Sequence, residues 1–440
     1  MKARTGFFFA LVLSLFISAA QARVKMEDQF VRVDGQHFTI GGKSYYFIGT
    51  NFWTAMNLGS TADGRNRLVR ELDRLEALGA KNLRILGGSE GPDSEPWRIT
   101  PAVQQSPGQY SEDVLLGLDF TLMEMKKRGM RAVICLNNFW HWSGGMAQYL
   151  RWAGAGAIPY PPPAPNGSWA TYQVYTSRFY NDQKAMAAAE QFTKALVTRV
   201  NRLSGQAYAD DPTIMAWELA NEPRAMLFRD AFNKWIARSA KFIKSLDKNH
   251  LVTTGSEGET PSPLLNGMNF VQNHSDPNID YTTAHIWAEN FGWYDPTKPA
   301  ESYGPSLAKV KAYIDDHIKK SAQLNKPLVI EEFGLARDNR SYDPYSTPSY
   351  RDRYYEVFFS ELTSSAMKKS TLAGVNFWAW SGEATPKMPY GSYWKPGDPL
   401  LGDPPHEPQG WYGVYASDSS TLKLISKYTQ RLWWIRWLFH

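Results

Sequence analysis

Eight short apolar segments alternate with amphipathic segments along this chain, and this alternation constrains the fold more than any other feature. The amphipathic segments repeat apolar residues at intervals of three and four, and several end at glycine, lysine or arginine, as helices commonly do. A helix pattern follows every apolar segment except the fifth. The apolar segments read YYFIGTNFW, KNLRIL, MRAVICLNN, IMAWELANEP, HLVTTGSEG, DYTTAHIW, PLVIEEFG and AGVNFWAW.

Strands that alternate with helices pair in parallel, and parallel strands covered on both faces read as continuous apolar runs. Eight such units predict an α/β fold, a single (β/α)8 TIM barrel with long loops at its C-terminal face. A doubly wound open sheet is the alternative, but no Gly-rich phosphate-binding turn follows an early strand. Because α/β barrels exceed the size of an average domain, we predict one catalytic domain over residues 23–440.

Three long segments rich in proline and glycine lie at residues 87–111, 144–181 and 383–413. Each follows a predicted strand, which in a barrel places it at the C-terminal rim, where active sites form. The segments are too aromatic for domain linkers, so we predict that they form the walls of a substrate cleft. Their tryptophans include Trp97, Trp152, Trp169, Trp394 and Trp411.

Residues 1–22 have the organisation of a secretory signal peptide. Lys2 and Arg4 precede an apolar run over residues 7–17, and the small residues of SAAQA follow. The run is too short to span a bilayer, which disfavours a membrane anchor. We therefore predict cleavage near Ala22 and a secreted chain, extracellular or periplasmic, without membrane contact after cleavage.

Charge, cysteine and histidine content exclude several classes of partner. The formal net charge of +5 falls to +3 without the predicted signal peptide, and no dense Lys/Arg run is present, so we predict no nucleic-acid partner.

Cys135 is the single cysteine and lies in an apolar run, which predicts a buried thiol and no internal disulfide. The eight histidines show no HExxH or similar spacing, so we predict no metal and no cofactor.

Polar residues gather where the predicted strands end. Asn221 and Glu222 end the fourth strand, two glutamates end the seventh in VIEEFG, and Arg84 and His285 lie in the second and sixth. A barrel brings these strand ends around one axis. Two facing carboxyl groups suit glycoside hydrolysis, in which one is the acid and the other the nucleophile.

This chemistry sets expectations for the surroundings of each group. A raised pKa would keep the acid protonated, Arg84 would hold the nucleophile ionised, and Asn221 could bind a sugar 2-hydroxyl. Glu218 is interpreted as a structural carboxylate. Side chains alternate along a strand, so Glu331 and Glu332 should point to opposite sides, and alternation alone leaves open which one faces the axis.

Several ordered motifs carry a resemblance to a known family. NEPR, the NN that ends strand three, SEG after strand five, EEFG, FWAW and GVYASDSST occur in that order. Together they resemble the endo-β-1,4-mannanases of glycoside hydrolase family 5, over nearly the whole mature chain. The resemblance implies that Glu222 is the acid/base and Glu332 the nucleophile, which leaves Glu331 as an outward structural acid. It also implies that Arg84, Asn221, His285 and Trp378 surround the glycone sugar, that Arg224 contacts the leaving-group side, and that Asn138 and Glu257 are polar cleft residues.

One position departs from the family pattern. The family often has His-x-Tyr on strand six, with the tyrosine bonding the nucleophile, whereas this chain has His285 followed by Ile286 and Trp287. Trp287 could supply an indole N–H instead, or Tyr281 or Tyr294 could substitute. Other tryptophans could be sugar platforms or packing residues: Trp53, Trp140, Trp142 and Trp411.

Taken with the predicted signal peptide and the absence of a ligand motif, the resemblance implies a secreted, cofactor-free, retaining endo-β-1,4-mannanase acting on mannan, glucomannan or galactomannan. The alternatives are a β-1,4-glucanase, an exo-β-mannosidase, and a carbohydrate-binding barrel without catalysis. Transglycosylation would share the same covalent intermediate. A retaining mechanism predicts that the two carboxyl groups lie about 5–5.5 Å apart.

Overall fold

The computed structural model describes residues 29–439, so the predicted signal peptide lies outside the described residues. Eight parallel strands form one sheet that curves into a barrel, in the order β5-β4-β3-β2-β1-β8-β7-β6. This confirms the predicted (β/α)8 architecture. The strands are β1 (Phe47–Asn51), β2 (Asn82–Leu86), β3 (Arg131–Cys135), β4 (Ile214–Glu218), β5 (Leu251–Thr253), β6 (Thr282–Ile286), β7 (Leu328–Phe333) and β8 (Leu372–Phe377).

The barrel closes between β5 and β6 without a regular ladder. The backbone N–H of Asp280 donates to the carbonyl of Val252 over 2.8 Å, and the hydroxyl of Thr253 donates to the carbonyl of Tyr281 over 3.0 Å. Further along, the N–H of His285 donates to the carbonyl of Glu257 over 3.1 Å. These bonds satisfy polar groups that an open sheet edge would leave unpaired.

Helices surround the barrel at the predicted places, and none of the described helices has the length and hydropathy needed to cross a membrane. After β5 only two one-turn helices occur, in agreement with the missing helix pattern. The long helix after β3 ends at Val197, and just beyond it the Asn201 side chain accepts the backbone N–H groups of Leu203 and Ser204 in a turn. The α-helices are Ala55–Gly59, Ala62–Ala77, Glu112–Lys127, Gly145–Trp152, Trp169–Ser177, Gln183–Val197, Arg229–Leu246, Pro263–Asn266, Phe270–Asn273, Pro299–Leu324, Ser349–Lys368 and Ser419–Phe439.

A small antiparallel sheet, not predicted from the sequence, covers the N-terminal end of the barrel. Its strands are Val31–Asp34, His37–Ile40 and Lys43–Ser44. Phe38 packs against Phe47 and Tyr281, at ring-centroid distances of 6.4 and 5.3 Å. This end of the barrel is therefore filled with apolar side chains, and the polar residues concentrate at the opposite, C-terminal end. Two further pairs of short strands lie in the rim loops: Gln104–Ser106 with Gln109–Tyr110, and Trp380–Gly382 with Val414–Tyr415.

Candidate active site

Glu222, His285 and Glu332 form the centre of the site at the C-terminal ends of β4, β6 and β7. One ligand atom of each residue lies within 4.8 Å of those of the other two. Nδ1 of His285 is 2.7 Å from Oε1 of Glu222 and 3.4 Å from Oε2 of Glu332. The barrel therefore brings two carboxylates, from the ends of different strands, close to the same nitrogen of one imidazole.

Two cationic or polar donors hold the Glu332 carboxylate. Arg84 forms a buried ion pair with Oε1, and the indole N–H of Trp287 donates to Oε2 over 3.2 Å. Of the three residues that could replace the family tyrosine, Trp287 is the one that contacts Glu332. Tyr281 reaches Glu331 instead, and Tyr294 packs against Tyr303.

Arg84 is itself held by a network of fixed acceptors. Its guanidinium donates to both oxygens of Glu218, over 2.8 and 2.6 Å, and to the side-chain oxygens of Asn221 and Asn51, over 2.8 and 3.0 Å. Burial alone would lower the pKa of Arg84, but Glu218 and Glu332 raise it well above its usual value. Glu218 thus orients the arginine, as expected of a structural carboxylate, and the cation faces Glu332.

Glu222 lies in a left-handed backbone conformation, with φ of 48°. Its N–H donates to the carbonyl of Gly255 over 2.9 Å, and Gly255 must be glycine because a Cβ there would lie 2.0 Å from the carbonyl oxygen of Ala220. A non-glycine residue with positive φ is unusual and marks a strained position. The indole N–H of Trp140 donates to Oε2 of Glu222 over 2.6 Å, which leaves Oε1 for His285.

The proton of this centre resides on His285 rather than on Glu222. Burial raises the pKa of Glu222, but the hydrogen bond and charge of His285, the charge of Arg224 and the Trp140 hydrogen bond together lower it to about 2. Burial lowers the pKa of His285, but the surrounding glutamates raise it well above its usual value. The pKa of Glu222 is therefore lowered and not raised as expected, because the neighbouring imidazole holds the proton more strongly.

Glu331 lies inside the barrel, so the prediction that it points outward is wrong. Ala284 of β6 pairs with Ile330, and the next residue, His285, pairs with Glu332, which leaves Glu331 without a partner on β6. Such a β-bulge breaks the alternation of side chains. Glu331 accepts a hydrogen bond from Tyr281 over 3.4 Å and lies 3.9 Å from Nε2 of His285. Burial and the charge of Glu218 raise its pKa to about 7.

Arg224 and Glu257 form one wall beside Glu222. Nε and Nη2 of Arg224 donate to the two oxygens of Glu257 over 2.5 and 2.9 Å, and Nη1 donates to Gln173 over 2.7 Å. The guanidinium lies 4.9 Å from the centre of the Trp140 ring. This arrangement presents a fixed planar cation and an indole edge next to the Glu222 carboxylate.

A cavity of about 300 Å³ opens above Glu222 and Glu332. Three predicted residues lie beneath it: Arg84, His285 and Asn138, which accepts a hydrogen bond from Asn221 over 3.1 Å. Trp53 does not reach the cavity, because its N–H donates to the carbonyl of Gly402 and its ring packs on Trp142. Eight predicted residues line the cavity: Trp140, Asn221, Glu222, Arg224, Glu257, Trp287, Glu332 and Trp378.

The long loops contribute further lining residues, of which only Trp142 and Trp169 were named from the sequence. The loop before the C-terminal helix brings His406 and Glu407 over the cavity, and Asp403 fixes that loop by accepting the N–H groups of Gly410 and Tyr412. The His406 ring lies edge-on to His141 at 4.8 Å. The only signal in the sequence is the aromatic, proline-rich composition of these loops, which does not identify individual residues. The additional lining residues are Trp142, Trp169, Gln173, Asn290, Phe291, Pro404, His406, Glu407 and Tyr412.

Within residues 29–439, Glu222, His285 and Glu332 are the one group spaced closely enough to hold a metal ion. Cationic groups already lie at this cluster. The raised pKa of His285 keeps its ring protonated, and Arg84 already supplies a positive charge to Glu332. The arrangement suits proton exchange between an imidazole and two carboxylates.

Comparisons with known proteins identify the family of the chain. Residues 28–436 match the sequence model of the GH family 5 beta-mannosidase-like family. Mannan endo-1,4-β-mannosidase 5 of Solanum lycopersicum is 32% identical over 390 residues, covering 84% of this chain and 87% of that protein. Mannan endo-1,4-β-mannosidase 7 of Arabidopsis thaliana is 29% identical and covers 98% and 92%. The glycoside hydrolase family 5 mannosidase of Rhizomucor miehei is 37% identical with a TM-score of 0.85, covering 93% and 99%. A variant of that mannosidase was solved in complex with mannosyl-fructose.

Proposed function

Because the chain belongs to the β-mannosidase-like group of glycoside hydrolase family 5 and is a glycoside hydrolase, we propose that it is a retaining endo-β-1,4-mannanase that cleaves mannan, glucomannan or galactomannan. The observation that carries the proposal is the pair of carboxylates from β4 and β7 whose oxygens lie within 4.8 Å of each other. Retaining glycosidases place these groups about 5–5.5 Å apart, whereas inverting enzymes leave room for a water molecule between them.

Glu332 is the proposed nucleophile. Its oxygen attacks the anomeric carbon, the bond to the leaving oxygen breaks, and a covalent glycosyl ester forms. Arg84 and Trp287 donate to the Glu332 carboxylate and orient it. The same two donors stabilise the carboxylate when it departs in the second step.

Glu222 is the proposed acid/base. The leaving oxygen needs a proton, and the proton on His285 lies one hydrogen bond of 2.7 Å away from Glu222. Sugar binding excludes water and surrounds this pair, so the proton can pass from Nδ1 to Oε1 and on from the carboxyl group to the leaving oxygen. Esterification removes the negative charge of Glu332, which had favoured a protonated His285, so the imidazole stays neutral in the second step. Glu222 then accepts a proton from the attacking water.

Asn221 and Arg224 are the proposed polar contacts of the two sugars flanking the cleaved bond. The Asn221 amide nitrogen donates one hydrogen to Asn138, and its second hydrogen is available to a 2-hydroxyl. Arg224 lies beside Glu222, on the side from which the leaving oxygen is protonated. Trp378 and Trp287, 5.9 Å apart and at 76°, supply apolar surface around the glycone sugar.

One observation favours a second candidate, an exo-β-mannosidase. Trp169, Asn290, His406 and Glu407 line both the catalytic cavity and a more open cavity of about 680 Å³. These residues therefore stand as a wall between the two cavities. A long chain passing through the site would have to cross this wall, whereas a chain end would not.

Product analysis tests the proposal and separates the candidates. The mature chain is incubated with mannohexaose, cellohexaose and galactomannan, and the early products are separated by size. A ladder of short manno-oligosaccharides supports endo action, and mannose as the sole early product supports exo action. Cleavage of cellohexaose alone, or of neither hexaose, would refute the proposed substrate.

Secretion is part of the proposal and rests on residues 1–22. Expression of the full chain followed by N-terminal sequencing of the exported protein tests it. A new N-terminus at residue 23 is expected. A chain that stays inside the cell with Met1 intact would refute export.

A further inference from the structure

The C-terminal helix, Ser419–Phe439, carries an exposed aromatic face that the catalytic site does not use. Its inner face packs Tyr428, Leu432 and Ile435 into the protein core. On the outer face three large rings stand in solvent: 58% of Trp433, 53% of Trp434 and 67% of Trp437 are exposed. Three neighbouring tryptophans exposed to this extent form an apolar patch that marks an interaction surface.

The same outer face is cationic. Lys423, Lys427 and Arg431 follow one another at intervals of four residues, which aligns them along one side of the helix. Trp434 is three residues beyond Arg431, so the tryptophans continue this side, and Arg436 lies exposed among them. Residues 419–439 contain no Asp or Glu. Of these four cations, Lys427 forms a described ion pair, with Glu356.

We infer that this surface, defined by Trp433, Trp434, Trp437, Arg431 and Arg436, binds an anionic lipid membrane. Tryptophan favours the headgroup region of a bilayer, because its ring is apolar and its N–H remains hydrated there. Arginine and lysine beside it are attracted to lipid phosphates and carboxylates. A helix with basic and tryptophan residues on its exposed face has the composition of helices that lie in the membrane interface.

Two other occupants fit the surface less well. A mannan chain is neutral, so it gives the cations no partner, and the rings are not coplanar: Trp433 and Trp434 meet at 80°, and Trp434 and Trp437 at 89°. A flat sugar platform needs ring faces that lie side by side. A second copy of the chain would bring like charges together, which opposes association.

The position of the C-terminal helix would keep the catalytic cleft accessible when the protein is bound to a membrane. Trp433 and Arg436 lie beside Tyr45 and Tyr46, which directly precede β1, so the surface is at the N-terminal end of the barrel. Glu222 and Glu332 are at the opposite end. A membrane bound here would leave the cleft facing away from the lipid and open to a polysaccharide. This inference goes beyond the proposed hydrolysis and revises the prediction that the mature chain makes no membrane contact.

Vesicle co-sedimentation of the mature chain tests the inference. Phosphatidylcholine vesicles are compared with vesicles in which about a third of the lipid is phosphatidylglycerol, at low and at high salt. We expect binding to the anionic vesicles that weakens as salt rises. Replacing Trp433, Trp434 and Trp437 by Ala should weaken binding at least about tenfold, and each of Arg431→Gln and Arg436→Gln should weaken it about fivefold. Tyr345→Ala removes a ring that is 71% exposed elsewhere and is the matched control, expected to bind like the parent chain.

The outcomes separate this inference from the proposed function. Hydrolysis of galactomannan in solution is measured for every variant. It should not change for the variants of the C-terminal helix, because the substituted side chains are exposed and at the far end of the barrel. A parent chain that hydrolyses galactomannan but ignores anionic vesicles would overturn the inference alone. It would also be overturned if the tryptophan variant bound vesicles as the parent does, if it instead lost retention on insoluble mannan, or if the parent formed dimers that the variant did not.

Discussion

Substitution of Glu331 and Glu332, adjacent on β7, distinguishes the proposed nucleophile from its neighbour. Glu332 lines the cavity and is held by Arg84 and Trp287. Glu331 does not line the cavity, and its Oε2 has no hydrogen-bond partner within the described residues. We therefore compare Glu332→Ala with Glu331→Gln in the mature chain.

The expected magnitudes differ by orders of magnitude. Loss of the nucleophile should lower kcat by on the order of 10⁴ or more, as removal of nucleophiles from other enzymes does. Burial and the Glu218 charge raise the pKa of Glu331 to about 7, so at pH 5.5 this group is mainly a neutral acid that glutamine closely resembles. The loss of one hydrogen bond costs about 1 kcal/mol, so Glu331→Gln should change kcat by less than about fivefold.

The assay uses an aryl β-mannoside with a good leaving group, at pH 5.5, with and without sodium azide. Azide can enter the space vacated in Glu332→Ala and attack the anomeric carbon directly, so we expect renewed aryl release and a glycosyl azide of inverted configuration. Glu331→Gln should show no azide product. The assignment is refuted if Glu332→Ala retains near-parental kcat while Glu331→Gln is inactive and is rescued by azide.

Four further substitutions follow from individual contacts. Trp287→Phe keeps the ring packing but removes the 3.2 Å hydrogen bond to Glu332, so kcat/KM should fall about tenfold with little change in Tm; an unchanged kcat/KM would contradict its role. Arg84→Met leaves Glu218 and Glu332 buried without their cation and should lower the free energy of unfolding in urea by about 3–5 kcal/mol, with partial recovery in the double variant with Glu218→Gln. Burial lowers the pKa of His317 to about 4, below its unfolded value of 6.5, so between these pH values the unfolded chain binds more protons than the folded chain. The free energy of unfolding should therefore fall by about 1.4 kcal/mol per pH unit on acidification from pH 6.5 to about 4. His317→Asn should reduce this slope. Replacing His406 and Glu407 by glycine lowers the wall above the cavity and should raise the rate on galactomannan relative to mannobiose; a fall in that ratio would show that the wall binds polymer.

The barrel could be predicted from the sequence because its determinants are local. Each strand is a continuous apolar run and each helix has its own periodicity, so eight units were visible without knowledge of their contacts. The N-terminal sheet was missed because its strands are two to four residues long. Such short pairs are set by packing of Phe38 on the end of the barrel, which no local pattern reports.

The positions of site residues could be predicted where a side chain is placed by the end of a single strand. Arg84, Glu222, His285 and Glu332 come together as strand topology requires. Properties that depend on two strands at once were not predictable. The bulge that turns Glu331 inward arises from the register between β6 and β7. The raised pKa of His285 depends on Glu222, which follows β4, together with Glu331 and Glu332 of β7. Loop residues such as His406 reach the cavity through tertiary packing, which composition does not reveal.

The left-handed backbone conformation of Glu222 implies a trade-off between activity and folding stability at that position. A non-glycine residue in this conformation costs roughly 1–2 kcal/mol, and glycine or asparagine would adopt it more readily. Variants that abolish the proposed acid/base could therefore fold into a more stable protein than the parent. Selection for thermal stability alone would therefore favour replacement of Glu222 and loss of activity. Engineering of this protein for stability has to keep Glu222 and introduce stabilising substitutions at other positions.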